Sequence, residues 1–151
     1  MSEFPDFIRV QITDAVTAAP LHNVVAWIKL LAEYKNDYIF ILPVSDNNGV
    51  IEISKVWLRN KVKEEMSHFQ MDFGSTLEHC KPKVELTIPS REEVARAAKS
   101  MKLYQEMYCF TQEEIDALSR VDNDKYLPTT IAVELHGEKV LNVRVPLEEV
   151  K

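Results

Sequence analysis

The side chains in this sequence that could do chemistry are few: His68, His79, Cys80 and Cys109, and the acidic pair of Asp122-Asn123-Asp124. A zinc site needs ligands at spacings that one turn or loop can converge, such as C-x-x-C or H-x-x-x-H. Adjacent His79 and Cys80 point apart, and neither has a mate at such a spacing, so these residues predict no metal and no cofactor. A thiol nucleophile needs a base close in space. His79 neighbours Cys80 in sequence alone. Cys109 falls at an expected helix C-terminus, where the dipole disfavours a thiolate. Both cysteines therefore read as small buried thiols. The Asp122 segment opens like a calcium loop, but the sixth and twelfth positions, which should be Gly and Glu, are Leu127 and Val133. A phosphate-cradling loop needs several glycines, and 3 in the whole chain are too few to build one.

What remains is apolar. Tyr104, Met107, Tyr108 and Phe110 crowd the end of a predicted helix and cannot all face one core. Adaptable Met and aromatic side chains are enriched at partner surfaces. These four residues are the candidate binding surface, and a protein partner or self-association is the expected use. The function expected is a non-enzymatic protein-interaction or assembly module. The alternative is a small hydrolase with a site at the helix–sheet junction, drawing on polar groups such as His68, Asp72 and His79.

The elements that must position these residues follow from periodicity. Ile8, Val10 and Ile12 alternate with Arg9, Gln11 and Thr13, the pattern of a strand with one wet face. Val24 to Leu31 is apolar on both faces and predicts a central strand covered on both sides, with Trp27 in the interior of a sandwich. Tyr38 to Leu42 repeats the pattern until Pro43, which cannot donate to a ladder. Asp46-Asn47-Asn48-Gly49 is a turn, since Asn and Gly accept positive φ. Val50 to Ile53 is a short strand. From Ser54, a candidate cap, Leu58, Val62, Met66 and Phe69 mark one face of a helix.

Met71 to Pro82 is irregular, and Val84 to Ile88 alternates as a strand. Ser90 with Glu93 forms a capping box that opens a helix running to about Tyr108. Thr111 with Glu114 repeats the box for a second helix carrying Ile115 and Leu118. Val121 to Pro128 reads as loop. Thr129 to Leu135 and Lys139 to Val145 read as a hairpin around Gly137. Burial favours pairing Val133 with Leu141 and Ile131 with Val143, so that the apolar residues share a face.

At 151 residues, with no linker, repeat or low-complexity segment, the chain is expected to form one domain, residues 1–151. Its strands would span about 7–54 and 129–146, with a helical excursion at about 55–128. A hydrophobic fraction of 46% and a charged fraction of 28% belong to the globular class. A net charge of -6 argues against nucleic acid as a partner. No apolar run approaches the roughly 20 residues of a membrane helix, and the first residues lack a secretory pattern. The expected location is the cytoplasm, with no membrane partner.

IRVQITDAVTAAPLHNVVAWIKL resembles the opening of transthyretin-like (prealbumin-like) sandwiches, in which a strand leads through a turn into a strand of small and apolar residues. VSDNNGVIEIS is similar to the family's D-x-x-G turn and following strand, and Val143-Arg144-Val145-Pro146-Leu147 to its last strand. The resemblance implies an α+β protein built on a prealbumin-like or Ig-like antiparallel β-sandwich, with a helical insertion before the C-terminal hairpin. The family includes hydroxyisourate hydrolases. The positions of their catalytic residues are here Arg144 in place of His, a first strand without His, and a different C-terminal sequence, so the resemblance carries no activity over.

Overall fold

The computed structural model describes residues 4–32, 38–67, 80–106 and 110–151. Two mostly antiparallel sheets and three helices give an α+β architecture. One sheet has three strands: β1 (Phe7–Asp14) at the centre, β4 (Val50–Ser54) antiparallel on one side and β7 (Val140–Leu147) parallel on the other. The other has four, in the order β3 (Tyr38–Ile41), β2 (Trp27–Ala32), β5 (Cys80–Ile88), β6 (Thr129–Glu134).

The alternation in the sequence sets the faces. Ile8, Val10 and Ile12 point inward with Ile51, Ile53, Leu141 and Val145 beside them, and all are buried. Ile28, Leu30, Tyr38, Phe40, Val84 and Leu86 form the inward row of the four-stranded sheet, with Ile131 and Val133 partly buried against it. The two rows belong to one hydrophobic cluster. Burial of each such side chain is worth about 1.5–3 kcal/mol, and this shared core is the main force holding the sheets together. On the outward faces, register partners carry opposite charges: Arg9 lies 4.0 Å from Glu52, and Lys29 lies 3.8 Å from Glu85.

The terminal hairpin does not form. β6 pairs with β5, setting Val133 opposite Val84, and β7 pairs with β1, setting Leu141 opposite Ile8. The segment between them crosses from one sheet to the other: Leu135 N–H donates to Pro82 O, and Lys139 O accepts from Asp6 and Phe7. The expected faces are right and the expected partners are wrong. Two amphipathic strands in one hairpin would need a single apolar layer to cover both. Placed in facing sheets, each finds an already apolar strand beside it and the common core in front. The helical excursion thus precedes a sheet-to-sheet crossing, not a hairpin.

Other differences are smaller. Residues 24–26 lie outside the β2 ladder. They are tied instead to the 42–45 segment by Leu42 N–H to Ala26 O and Ser45 N–H to Val24 O, because Pro43 interrupts regular pairing. β5 begins at Cys80, earlier than the alternation from Val84 indicated, and includes Pro82. The residues joining the first helix to it lie outside the described set.

α1 (Lys55–Ser67) starts where Ser54 Oγ accepts the Trp57 N–H, and Leu58 is its fully buried anchor. α2 (Arg91–Leu103) opens with the complete Ser90–Glu93 capping box. It ends at Tyr104, before the expected Tyr108. α3 (Gln112–Leu118) is capped by Thr111 Oγ1 accepting the Glu114 N–H. Val94, Met101, Ile115 and Leu118 are the buried residues of these two helices. They gather with Val25 in a second hydrophobic cluster, against which Ile41 and Phe110 are partly buried. The four-stranded sheet therefore has apolar layers on both sides at its β2–β3 end, as the two-faced run from Val24 implies.

Candidate functional site

Between that outer sheet face and the three helices lies a cavity of about 620 Å³. β2 and β3 supply Trp27, Ile39 and Ile41 to it. α1 supplies Trp57 and Lys61, α2 supplies Ala97, Ser100, Met101 and Tyr104, and α3 supplies Glu114, Ala117 and Leu118. Phe110 completes the wall between α2 and α3. Alternation on β2 explains the placement of Trp27. Its neighbours Ile28 and Ala26 turn into the inter-sheet core, so the indole turns outward, toward the helices. The expectation of Trp27 inside the sandwich is thereby corrected. It is half-buried on the opposite face of a central strand.

The helices that roof the cavity are fixed by polar ties. Lys102 Nζ donates to Gln112 Oε1 at 2.7 Å, and Gln112 Nε2 donates to Asp116 Oδ1 at 2.8 Å, linking the end of α2 to α3. Phe110 N–H donates to Gln105 O at 3.2 Å, closing the turn after α2. A buried amide anchors the chain as it leaves α3. Asn123 Oδ1 accepts the Val25 N–H at 2.9 Å, and its Nδ2 donates to Val25 O at 3.0 Å and Pro89 O at 3.1 Å. One side chain thus joins the segment after α3 to the lead-in of β2 and the end of β5.

Electrostatically the walls are quiet. Lys61 is half-buried, with Nζ 5.4 Å from the Trp57 ring centroid, a cation–π distance. Glu114 is exposed at the first turn of α3. Trp27 Nε1 is buried with no acceptor among the described residues. The described residues include no group of three or more His, Cys, Asp or Glu that could hold a metal ion. Asp14, at the end of β1, is held below the usual carboxylate range because its side chain accepts the Thr17 and Val16 N–H groups. Tyr126 is pushed up by burial.

Of the four residues singled out in the sequence, Tyr104 and Phe110 both line the cavity. Tyr104 is 45% exposed at its rim, whereas Phe110 is half-buried in the second cluster. Met107 and Tyr108 lie outside the described residues, as do His68, Asp72, His79 and Cys109, and nothing is said of the Cys80 side chain. The rim also carries Ile39, 56% exposed, and next to Tyr104 stands Leu103, 75% exposed. Sequence reading missed Trp27, Ile39 and Trp57 as one group. They are far apart in the chain, and only the β2–β3 pairing and the return of α1 bring them together. Among the described residues no helix is long and apolar enough to cross a membrane. Comparison with protein-family models, with curated proteins and with solved structures gives no match.

Proposed function

We propose that the chain is a non-enzymatic interaction module that docks a protein partner on the apolar cavity rim at Ile39 and Tyr104, together with the exposed Leu103 that precedes Tyr104 on α2. The observation that carries the reading is large apolar side chains left exposed beside an apolar cleft, at the end of the helix where the sequence concentrates its aromatics. Exposed apolar residues contiguous with a groove are a feature of association surfaces, where Tyr is among the enriched anchors. The hydrolase alternative has a concave site at the helix–sheet junction in its favour. The polar groups it named, His68, Asp72 and His79, lie outside the described residues.

A prealbumin-like sandwich remains our proposal for the fold. It is supported by the strand orders β4-β1-β7 and β3-β2-β5-β6, by the shared core, and by crossings between the sheets after β1, after β3, after β4 and after β6.

The test pairs Leu103→Ser with Tyr104→Ser. Both side chains are exposed, so the melting temperature should move by no more than a few degrees. Light scattering and pull-down with the wild-type chain should show a partner or a self-associated species, and the double variant should lose it. Association that survives the double substitution would place the docking surface elsewhere.

A further inference from the structure

We propose that the Asn48–Gly49 bond is a modification site: a spontaneous deamidation that the 46–50 turn holds shut in the folded chain, and whose isoaspartyl product loosens β4 from β1. The site involves none of the docking residues. It is the chain's only Asn-Gly pair. In such a pair the Gly backbone nitrogen can attack the Asn side-chain carbonyl carbon, because the Gly carries no Cβ to stand in the way. The new N–C bond closes a five-membered succinimide as ammonia leaves with the proton lost from the nitrogen. Water then opens the ring. Attack at Cγ leaves an aspartyl residue with a normal backbone. Attack at the former backbone carbonyl carbon leaves an isoaspartyl residue, whose backbone runs through the side chain and is longer by one methylene. The balance is amide plus water to acid plus ammonia, with no oxidant or reductant.

Asn48 is exposed, so water reaches it, yet the nucleophile beside it is held. Gly49 N–H donates to Asp46 O at 2.9 Å. On either side of it, Asn48 N–H and Val50 N–H both donate to Asp46 Oδ1 at 2.9 Å. Closing the ring requires the peptide plane between residues 48 and 49 to turn until its nitrogen faces the Asn48 side chain. Gly49 is packed against that movement. It is buried, its carbonyl accepts the Ile12 N–H at 2.7 Å, and the place of a Cβ on it lies 2.5 Å from Ile12 O. The bonds to Asp46 and the packing on β1 must open before the pair can react, so the rate follows the population of the opened turn. The product then acts on the fold. The β1–β4 ladder ends at Gln11 opposite Val50, directly after this turn. A methylene inserted before Gly49 displaces it from Ile12 and removes the tie that closes the ladder.

The full chain is aged in mildly alkaline buffer, folded and in urea. Peptides spanning residue 48 are followed by mass spectrometry for the gain of one dalton, with enzymatic methylation marking the isoaspartyl form. Deamidation should be at least about tenfold slower in the folded chain than in urea, the factor that one hydrogen bond to a carboxylate supplies when it must open. Asp46→Ala removes the acceptor of two of the bonds and should raise the folded rate at least about tenfold. Asp46→Asn, which keeps an oxygen acceptor without the charge, should fall between. Should Asp46→Ala fail to fold, Asp46→Asn must still exceed the wild-type rate. Hydrogen exchange at the Ile12 amide should quicken in the isoaspartyl fraction and not in the aspartyl one. No mass gain at residue 48 in urea would overturn the site. Equal rates in the folded and unfolded chain, or Asp46 variants no faster than wild type, would overturn the turn as its lock. An isoaspartyl fraction with wild-type protection at Ile12 would overturn the loosening of β4.

Discussion

At the scale of single residues, two glycines separate what the backbone requires from what the surroundings require. Gly49 and Gly137 both have positive φ, +73° and +81°. A Cβ on Gly49 would stand 2.5 Å from Ile12 O and 3.0 Å from Leu21 N, whereas one on Gly137 meets nothing within 4 Å. The contacts around Gly49 are structural, since Ile12 N–H donates to Gly49 O and Leu21 N–H donates to Ile12 O. Gly137→Ala should therefore cost about 1 kcal/mol, the left-handed penalty alone. Gly49→Ala adds a backbone collision to the same penalty and should cost about 3 kcal/mol or more. Urea unfolding of the two variants checks the contrast, and equal losses would show that the 46–49 turn yields freely. The Asp-Asn-Asn-Gly turn was legible because its chemistry is local. The collision partners of Gly49 were not, because Ile12 and Leu21 approach it only once β4 pairs with β1.

At the scale of elements, the same division decides what the sequence revealed. The starts of all three helices were readable, since Ser54, Ser90 and Thr111 each accept an N–H three residues on. The faces of β1, β6 and β7 were readable from alternation. Strand partners were not, because alternation says which side of a strand is apolar and nothing about its neighbour. Trp27 was placed on the wrong layer for a related reason. A strand apolar on both faces has two interiors, and its sequence does not rank them.

The element-scale tie that sequence reading passed over is Asn123, read as loop beside a failed calcium pattern. Its three hydrogen bonds hold the segment after α3 to β2 and β5, so it fixes the roof of the cavity as well as the fold. Asn123→Ala leaves the Val25 N–H and two carbonyls without these partners in a buried site, and should cost about 2–4 kcal/mol. Hydrogen exchange should show the loss first at Val25 and in α3. Asn123→Asp keeps an acceptor but turns a carboxylate toward two carbonyl oxygens, and should be at least as damaging. An Asp variant as stable as wild type would mean that the site admits water.

At the scale of the whole molecule, the four-stranded sheet is the shared wall of two apolar layers, while among the described residues the three-stranded sheet borders one. The arrangement gives the protein an inter-sheet core to which α1 adds Leu58 and α2 and α3 add no buried residue among those described, and a cavity that depends on all three helices, so perturbing α2 or α3 should open the cavity well before it unfolds the sheets. The parallel pairing of β1 with β7 has a different consequence, one of time. Phe7 meets Val140 and Asp14 meets Leu147, so the middle strand of a sheet waits, during synthesis, for the last strand of that sheet to leave the ribosome. Until then Ile8, Val10 and Ile12 have β4 on one side and an open edge on the other, an invitation to chaperones or to another nascent chain. Contacts of such sequence separation make for slow folding, in the millisecond-to-second range of β-rich domains. Val143→Ala should shift mainly the unfolding arm of a chevron if β7 docks last. A slowed folding arm would mean instead that the chain closes this ring first and builds the remaining sheet around it.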